Sequence, residues 1–459
     1  MKTNTIKNLL TAAAVMTAVA ASAQTTSTGY FNQEYTYRFE MNPAFANSRG
    51  FVGMPGIGNV NVAMNGNLGM DKVLFNVDGR TTTFLNPKVS TAEVMDGLTH
   101  YRNRVGADFK VNVINVGFKG MGGYNTISIN ARGNVDARVP RTIFSLLKEG
   151  VSNREYDIED VSAKANAFAE VALGHQHNIN GEWSVGGRLK FLVGAGNVDA
   201  RLTTARLTLG QDDWTVVSNG TVNTSLHGMT YKTKVNKHTG HRYVSGADID
   251  KAGVGGYGMA IDLGVEWKPQ AWKNWRLSFA VLDMGFIAWK NNMTATTDGD
   301  RTFNLDRYTF NVDGDATNSF TNEWHLLRDN FTQIYELEDK GDLGSRVTGI
   351  AATINSGVEY TLPSYRKLTF GLLNTTRIYG SFTHTDFRLS ANIAPVKALS
   401  GSVSFGAGTF GASFGCLVNV HCPGFNLFAG MDHVPHKLNK QYIPLSSNAQ
   451  VNVGMNFLF

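Results

Sequence analysis

Two histidine pairs, two cysteines and a set of alternating charges are the residues of this chain whose types and spacing could do chemistry. His175 and His177 stand two residues apart, which puts both imidazoles on one side of an extended strand and could hold a metal. They share the parity of Val171 and Leu173, so a pair facing lipid or its interface is the preferred reading. His433 and His436, in the final outer loop, have no Cys nearby and no carboxylate other than Asp432, and a ligand pair is disfavoured there too. Cys416 and Cys422 would lie roughly 20 Å apart on one strand, too far to bond. A turn between them would permit a disulfide, so bonded and free states both stay open. The one Gly-x-Ser-x-Gly spacing, Gly411 to Gly415, falls inside the alternating run Gly408 to Val420 and not at a strand-to-helix elbow; no Walker loop or Cys-x-x-Cys occurs, and no Ser/His/Asp set can be assembled. The chain therefore reads as a non-enzyme with no metal and no cofactor.

The charges are more informative. Lys110, Arg132, Asp136, Arg138, Glu170, Arg188, Lys190, Asp262, Glu266 and Arg276 each stand between residues of the opposite, largely apolar parity. On the inner face of a barrel such residues either line a solute path or pair across strands in a closed lumen, and their mixed signs favour pairing. The net charge of +5 is small and no dense Lys/Arg block occurs, which argues against nucleic acid as a partner.

The elements that must position these charges are long two-faced strands. Ile127, Ile129, Ala131, Gly133, Val135, Ala137 and Val139 alternate with Ser128, Asn130, Arg132, Asn134, Asp136 and Arg138. The same pattern runs through Tyr257 to Lys268 and Asn448 to Phe459. These runs match the roughly 9 to 11 residues of a tilted transmembrane strand, against about 5 to 6 in a soluble sheet. Similar segments predict an all-β, transmembrane antiparallel β-barrel of about 14 strands, with short helices in its loops or lumen. Parity slips at Ile114 and near Leu282 predict β-bulges. The prolines avoid strand interiors, with Pro140, Pro269, Pro363, Pro395 and Pro423 just past strand ends.

Tight links such as Asn180-Gly181 alternate with long connectors such as Asp71 to Asp108, which places short turns and both termini on the periplasmic rim. Trp183, Trp267, Trp272 and Trp275 gather at that rim, as an aromatic girdle would. Helical patterns appear at Ser90 to Val105, opened by a capping-box spacing to Glu93, at Arg141 to Lys148, and at Phe320 to Leu337. The hexapeptide Gly133 to Arg138 recurs as Gly196 to Arg201, a shared way of leaving the membrane or a duplicated ligand site.

Lys2 and Lys7, the apolar run Leu9 to Ala20 and the small residues Ala21-Ser22-Ala23 read as a signal peptide over 1–23. Residues 24–56 then form a periplasmic or lumenal segment, and 57–459 the barrel. Glycine is plentiful, 49 against 10 prolines, which suits strands better than helices.

Asn42-Pro43-Ala44 and the run Gly53-Met54-Pro55-Gly56-Ile57-Gly58-Asn59 resemble a Bacteroidota outer-membrane barrel family known only as a domain of unknown function. That family is similar to the PorV, PorP and FadL groups. The closing Asn456-Phe457-Leu458-Phe459 resembles the aromatic signal read by the barrel-assembly machinery, carried by Phe457 and Phe459. From the FadL side the resemblance implies a lumenal N-terminal segment and passage of hydrophobic molecules. From the PorV side it implies a role beside a type IX-like secretion system. The leading expectation is an outer-membrane barrel for passive transport of small or hydrophobic solutes. The competing one is a structural or binding barrel serving an envelope complex. Expected partners are outer-membrane lipid, the assembly machinery, and either hydrophobic small molecules or an envelope protein.

Overall fold

A two-faced strand long enough to cross an apolar layer needs neighbours on both edges, because each unpaired backbone group there costs several kcal/mol. The computed structural model answers this with a closed ring of 14 antiparallel strands. It describes residues 26–434 apart from 79, 101–102, 150–154, 159, 210–212, 237–239, 252, 298–299 and 305–335, together with 448–459. The signal-peptide reading, His436 and all but the end of the helical pattern at Phe320 to Leu337 lie outside these residues.

The ring begins with β1, in two pieces at Phe51–Gly53 and Val60–Gly66. It continues through β2 (Asn103–Gly120), β3 (Gly123–Val139), β4 (Val161–Asn178), β5 (Trp183–Leu209), β6 (Gly256–Trp267) and β7 (Trp275–Trp289). Then come β8, in two pieces at Arg346–Gly349 and Ala352–Thr361, β9 (Leu368–Ile378), β10 (His384–Val396) and β11 (Leu399–Gly408). Last are β12 (Gly411–Cys422), β13 (Phe425–Met431) and β14 (Ala449–Leu458). Each pairs with its sequence neighbour, and β14 returns to β1 with Val453 opposite Val60 and Leu458 opposite Phe51.

Burial is inverted relative to a water-soluble sheet. On β6, Tyr257, Met259, Ile261 and Leu263 face outward and exposed while Asp262 is fully buried. On β14, Val451, Val453 and Phe457 are exposed and Asn452 and Asn456 are completely enclosed. Both parity slips are bulges. The β2–β3 register shifts between Asn112 and Ile114. The β6–β7 register shifts opposite Leu282 and Asp283, where Asp283 takes a positive φ of 57° and turns inward beside the buried Leu282. Pro395 corrects the proline reading. It lies within β10, at a register shift between Ile393 and Val396, where the missing N–H breaks no ladder pair.

Short turns crowd one rim, as between β2 and β3, where Met121 and Gly122 both have positive φ, the geometry of a two-residue hairpin. The opposite, long-loop rim is built up. Beyond Gly194, β5 leaves β6 and pairs with Asp213–Leu226. That strand pairs with Asn292–Thr297 and Asp300–Asn304, and Asn292–Thr297 with Glu338–Asp342. Connectors that read as loops are thus strands projecting past the ring.

The Ser90 capping box forms, but helix α1 runs only from Thr91 to Met95 before Asn103 opens β2. Hydrogen bonds from the Ser90 amide and hydroxyl hold the Glu93 carboxyl below its ordinary range. Helix α2 (Arg141–Glu149) brings Phe144 against Leu68, Phe84, Val94 and Met95, an apolar knot at this rim.

Ring closure ends in two reciprocal bonds, Gly50 N–H to Phe459 O and Phe459 N–H to Gly50 O, both 3.0 Å. Deleting Phe459 removes both. The expected result is a several-fold loss of folded, heat-modifiable barrel on unheated gels; an unchanged folded fraction would count against a closing role for this residue.

Candidate functional site

Fourteen strands enclose more space than wall side chains can fill, since about eight already suffice for a packed interior. Residues 26–45 occupy it. Tyr30, Phe31, Tyr35, Tyr37, Phe39, Met41 and Phe45 are buried and pack with wall residues Tyr124, Leu373, Leu417 and Phe428. Phenol hydroxyls make this aromatic segment compatible with a polar wall. Tyr35 donates to Asn452 Oδ1 at 2.7 Å and Tyr37 to Asn456 Oδ1 at 2.6 Å.

The Asn42-Pro43-Ala44 motif forms the tightest joint between plug and wall. Asn42 Oδ1 accepts the Ala44 amide at 2.9 Å, an Asx turn for which proline supplies the fixed φ. The turn sits in two notches. A Cβ on Gly186 of β5 would stand 2.0 Å from Pro43 O, and one on Gly264 of β6 2.1 Å from Asn42 Oδ1. At its other end the plug is latched by Asp432, which follows β13. Its carboxylate accepts Ser27 N–H at 2.6 Å, Thr28 N–H at 2.7 Å and the Thr28 hydroxyl at 2.6 Å.

Above the motif a layer of charge crosses the lumen. Lys190 lies 2.5 Å from Asp283 and 2.8 Å from Asp262. Arg132 reaches Glu170 at 2.5 Å and forks onto Asp283 with two bonds of 2.9 Å. Arg188 approaches Asp262 at 3.5 Å and donates to Ser128 at 3.0 Å. Lys110 meets Glu40, which the plug contributes, at 2.7 Å. Cations Lys110, Arg132, Arg188 and Lys190 thus balance anions Glu40, Glu170, Asp262 and Asp283.

Of the ten charges singled out by parity, six join this layer. The other four do not. Arg138 pairs with Asp160, and Asp136 accepts from Asn134, both toward the long-loop rim. Glu266 pairs with Lys268 at 2.8 Å and Arg276 stands 3.9 Å from Glu359, both toward the short turns. Parity reading missed Asp283, because the bulge flips its phase, and Glu40, because the plug has no strand period. Asp108, Arg377 and Arg388 were legible by alternation: Arg388 stands between the exposed Phe387 and Leu389. The hexapeptide repeat places Asn134 and Asn197 on either side of Asn166, which donates to Asn134 at 3.2 Å and accepts from Asn197 at 2.5 Å.

His175 and His177 are exposed and stack 6.0 Å apart, with Asn125 on His175 Nδ1. His433 is pulled down to about 4, chiefly by burial and against the pull of Asp432. Among the described residues no three His, Cys, Asp or Glu side chains converge as a metal site, and Cys416 and Cys422 are free thiols.

Two outcomes are expected. Gly186→Val should push out the Asn42-Pro43-Ala44 turn and expose Arg38, buried in the plug, to trypsin in detergent; protection equal to wild type would show that the notch does not seat the plug. Lys190→Met strands buried carboxylates and should lower unfolding free energy by on the order of 3 kcal/mol in urea titrations, with much of it recovered by adding Asp262→Leu.

No curated protein matches the sequence. Among solved structures, the toluene transporter TbuX of Ralstonia pickettii is 8% identical with a TM-score of 0.38, over 96% of this chain and 94% of that one. The P. putida toluene transporter TodX is 6% identical with a TM-score of 0.40, over 96% and 95%. A Pseudomonas aeruginosa FadL homologue is 10% identical with a TM-score of 0.35, over 96% and 98%. Likenesses this faint carry nothing about cargo. The family of unknown function DUF5723 matches residues 43–432, most of the chain, and the chain belongs to that family.

Proposed function

We propose that this chain is an outer-membrane barrel that passes small solutes passively and is shut at rest by its own N-terminal segment. The observation that carries the reading is the plug's attachment. Residues 26–45 fill the lumen without joining the sheet, and side-chain hydrogen bonds, glycine notches and the Lys110–Glu40 pair hold them. Such a segment can leave while the ring stays closed. Lipid solvates the outward apolar band, and the short turns and both ends of the barrel face the periplasm. The assembly machinery reads Phe457 and Phe459 during insertion.

One observation favours the second reading, a barrel that binds an envelope or secretion partner. The sheet projecting beyond β5 is more structure than a pore mouth needs.

Planar-bilayer recordings separate the two. Wild-type protein should conduct rarely, and Asp432→Ala, which cuts all three latch bonds, should open more often. If neither Asp432→Ala nor a variant lacking residues 26–45 conducts, and a stable envelope partner co-elutes with the tagged protein, the transport reading is lost.

A further inference from the structure

Between the charge layer and the long-loop rim lies a cleft of about 500 Å³, including the solvent space that opens from it. Asp108, Arg132, Asn134, Asn166, Asp283 and Arg377 line it. Its charges are closed into two forks, each joining strands that are not neighbours in the ring. Arg377 donates from Nη1 and Nη2 to the two oxygens of Asp108, each at 2.5 Å. Arg132 does the same to Asp283 at 2.9 Å.

This arrangement selects by charge. An anion would have to compete with a carboxylate for its guanidinium, and a cation the reverse; either leaves a buried charge unmatched. A hydrocarbon would strip water from ions and amides and replace none of its hydrogen bonds. A neutral molecule rich in hydroxyls does neither. Each hydroxyl both donates and accepts, so neighbouring hydroxyls can bond planar carboxylate, guanidinium and amide edges together without opening a fork. The Asn134–Asn166–Asn197 ladder supplies such amide edges in fixed orientation, anchored by Tyr379, whose hydroxyl accepts from Asn166 at 2.5 Å. Phe168 stiffens the floor, with the Arg132 guanidinium 5.3 Å from its ring centre.

We infer that this cleft is a binding site for a neutral polyhydroxylated solute of the sugar class. The inference rests on the transport reading only for its biological purpose; the binding itself stands apart from passage.

The test is calorimetric titration of the full chain, in a detergent that is not a glycoside, with glucose, glucuronate and glucosamine, a neutral, an anionic and a cationic solute of similar size. Glucose should bind saturably, at least about tenfold tighter than either ion. Asn134→Leu should weaken glucose roughly tenfold without introducing a charge preference. Asp108→Asn removes the carboxylate onto which Arg377 forks and should shift preference toward glucuronate by about tenfold. If Asp108→Asn fails to give a heat-modifiable barrel, Asn134→Leu carries the test. Absence of saturable glucose binding, equal or tighter binding of an ion by wild type, or indifference to Asn134→Leu would each overturn the proposal. Glucose binding in a barrel that never conducts upholds the site and removes passage; conduction without glucose binding keeps passage and removes the site.

Discussion

Everything in this structure descends from one requirement, that a sheet with an apolar exterior leave no edge unpaired. The requirement is met where β14 returns to β1, about four hundred residues away along the chain. Once the ring is closed, strict alternation forces the opposite parity inward, and that parity is polar. Asn452, Asn456, Asp262 and Glu170 are buried for this reason and not because each was favoured singly. The interior of such a ring is too wide to be filled by wall side chains and too polar to be filled by aliphatic ones.

The chain resolves that conflict with two materials. Toward the short turns it uses aromatic rings that end in hydroxyls, so that Tyr35 and Tyr37 present apolar bodies to one another and polar tips to wall amides. At mid-height it uses a balanced layer of ions. Such layers add little net stability over an apolar packing, but they penalise any misplacement of a partner. Glu40 is therefore significant, because it makes the plug a member of the layer and ties its position to that of β2 through Lys110.

Shape is matched as closely as charge. The glycines at 186 and 264 are recesses for the Asn42-Pro43-Ala44 turn, and a third, Gly371, stands where a Cβ would lie 2.1 Å from the Phe31 ring. The bulge at Leu282 and Asp283 serves the ions in the same way: one extra residue on β7 turns a carboxylate into the lumen between Arg132 and Lys190. The wall thus carries the imprint of the plug.

Sequence alone determined the parts of this molecule that depend on near neighbours. Period-two alternation is a property of adjacent residues, so the strands, their inward charges, the bulges near Ile114 and Leu282, the Ser90 cap and the rim tryptophans could all be read from it. What the tertiary structure decided are meetings between distant residues. Thr28 finds Asp432 at a separation of 404 residues, and Arg377 finds Asp108 at 269. The plug's rings follow neither a strand nor a helix period, so no local pattern announced what they would touch. Asp283 was hidden because a bulge reverses the phase on which parity depends. Continuation of β5 into a projecting sheet was hidden because strand propensity does not mark where an apolar layer ends. A barrel is written in local chemistry; what fills it depends on which faces closure brings together.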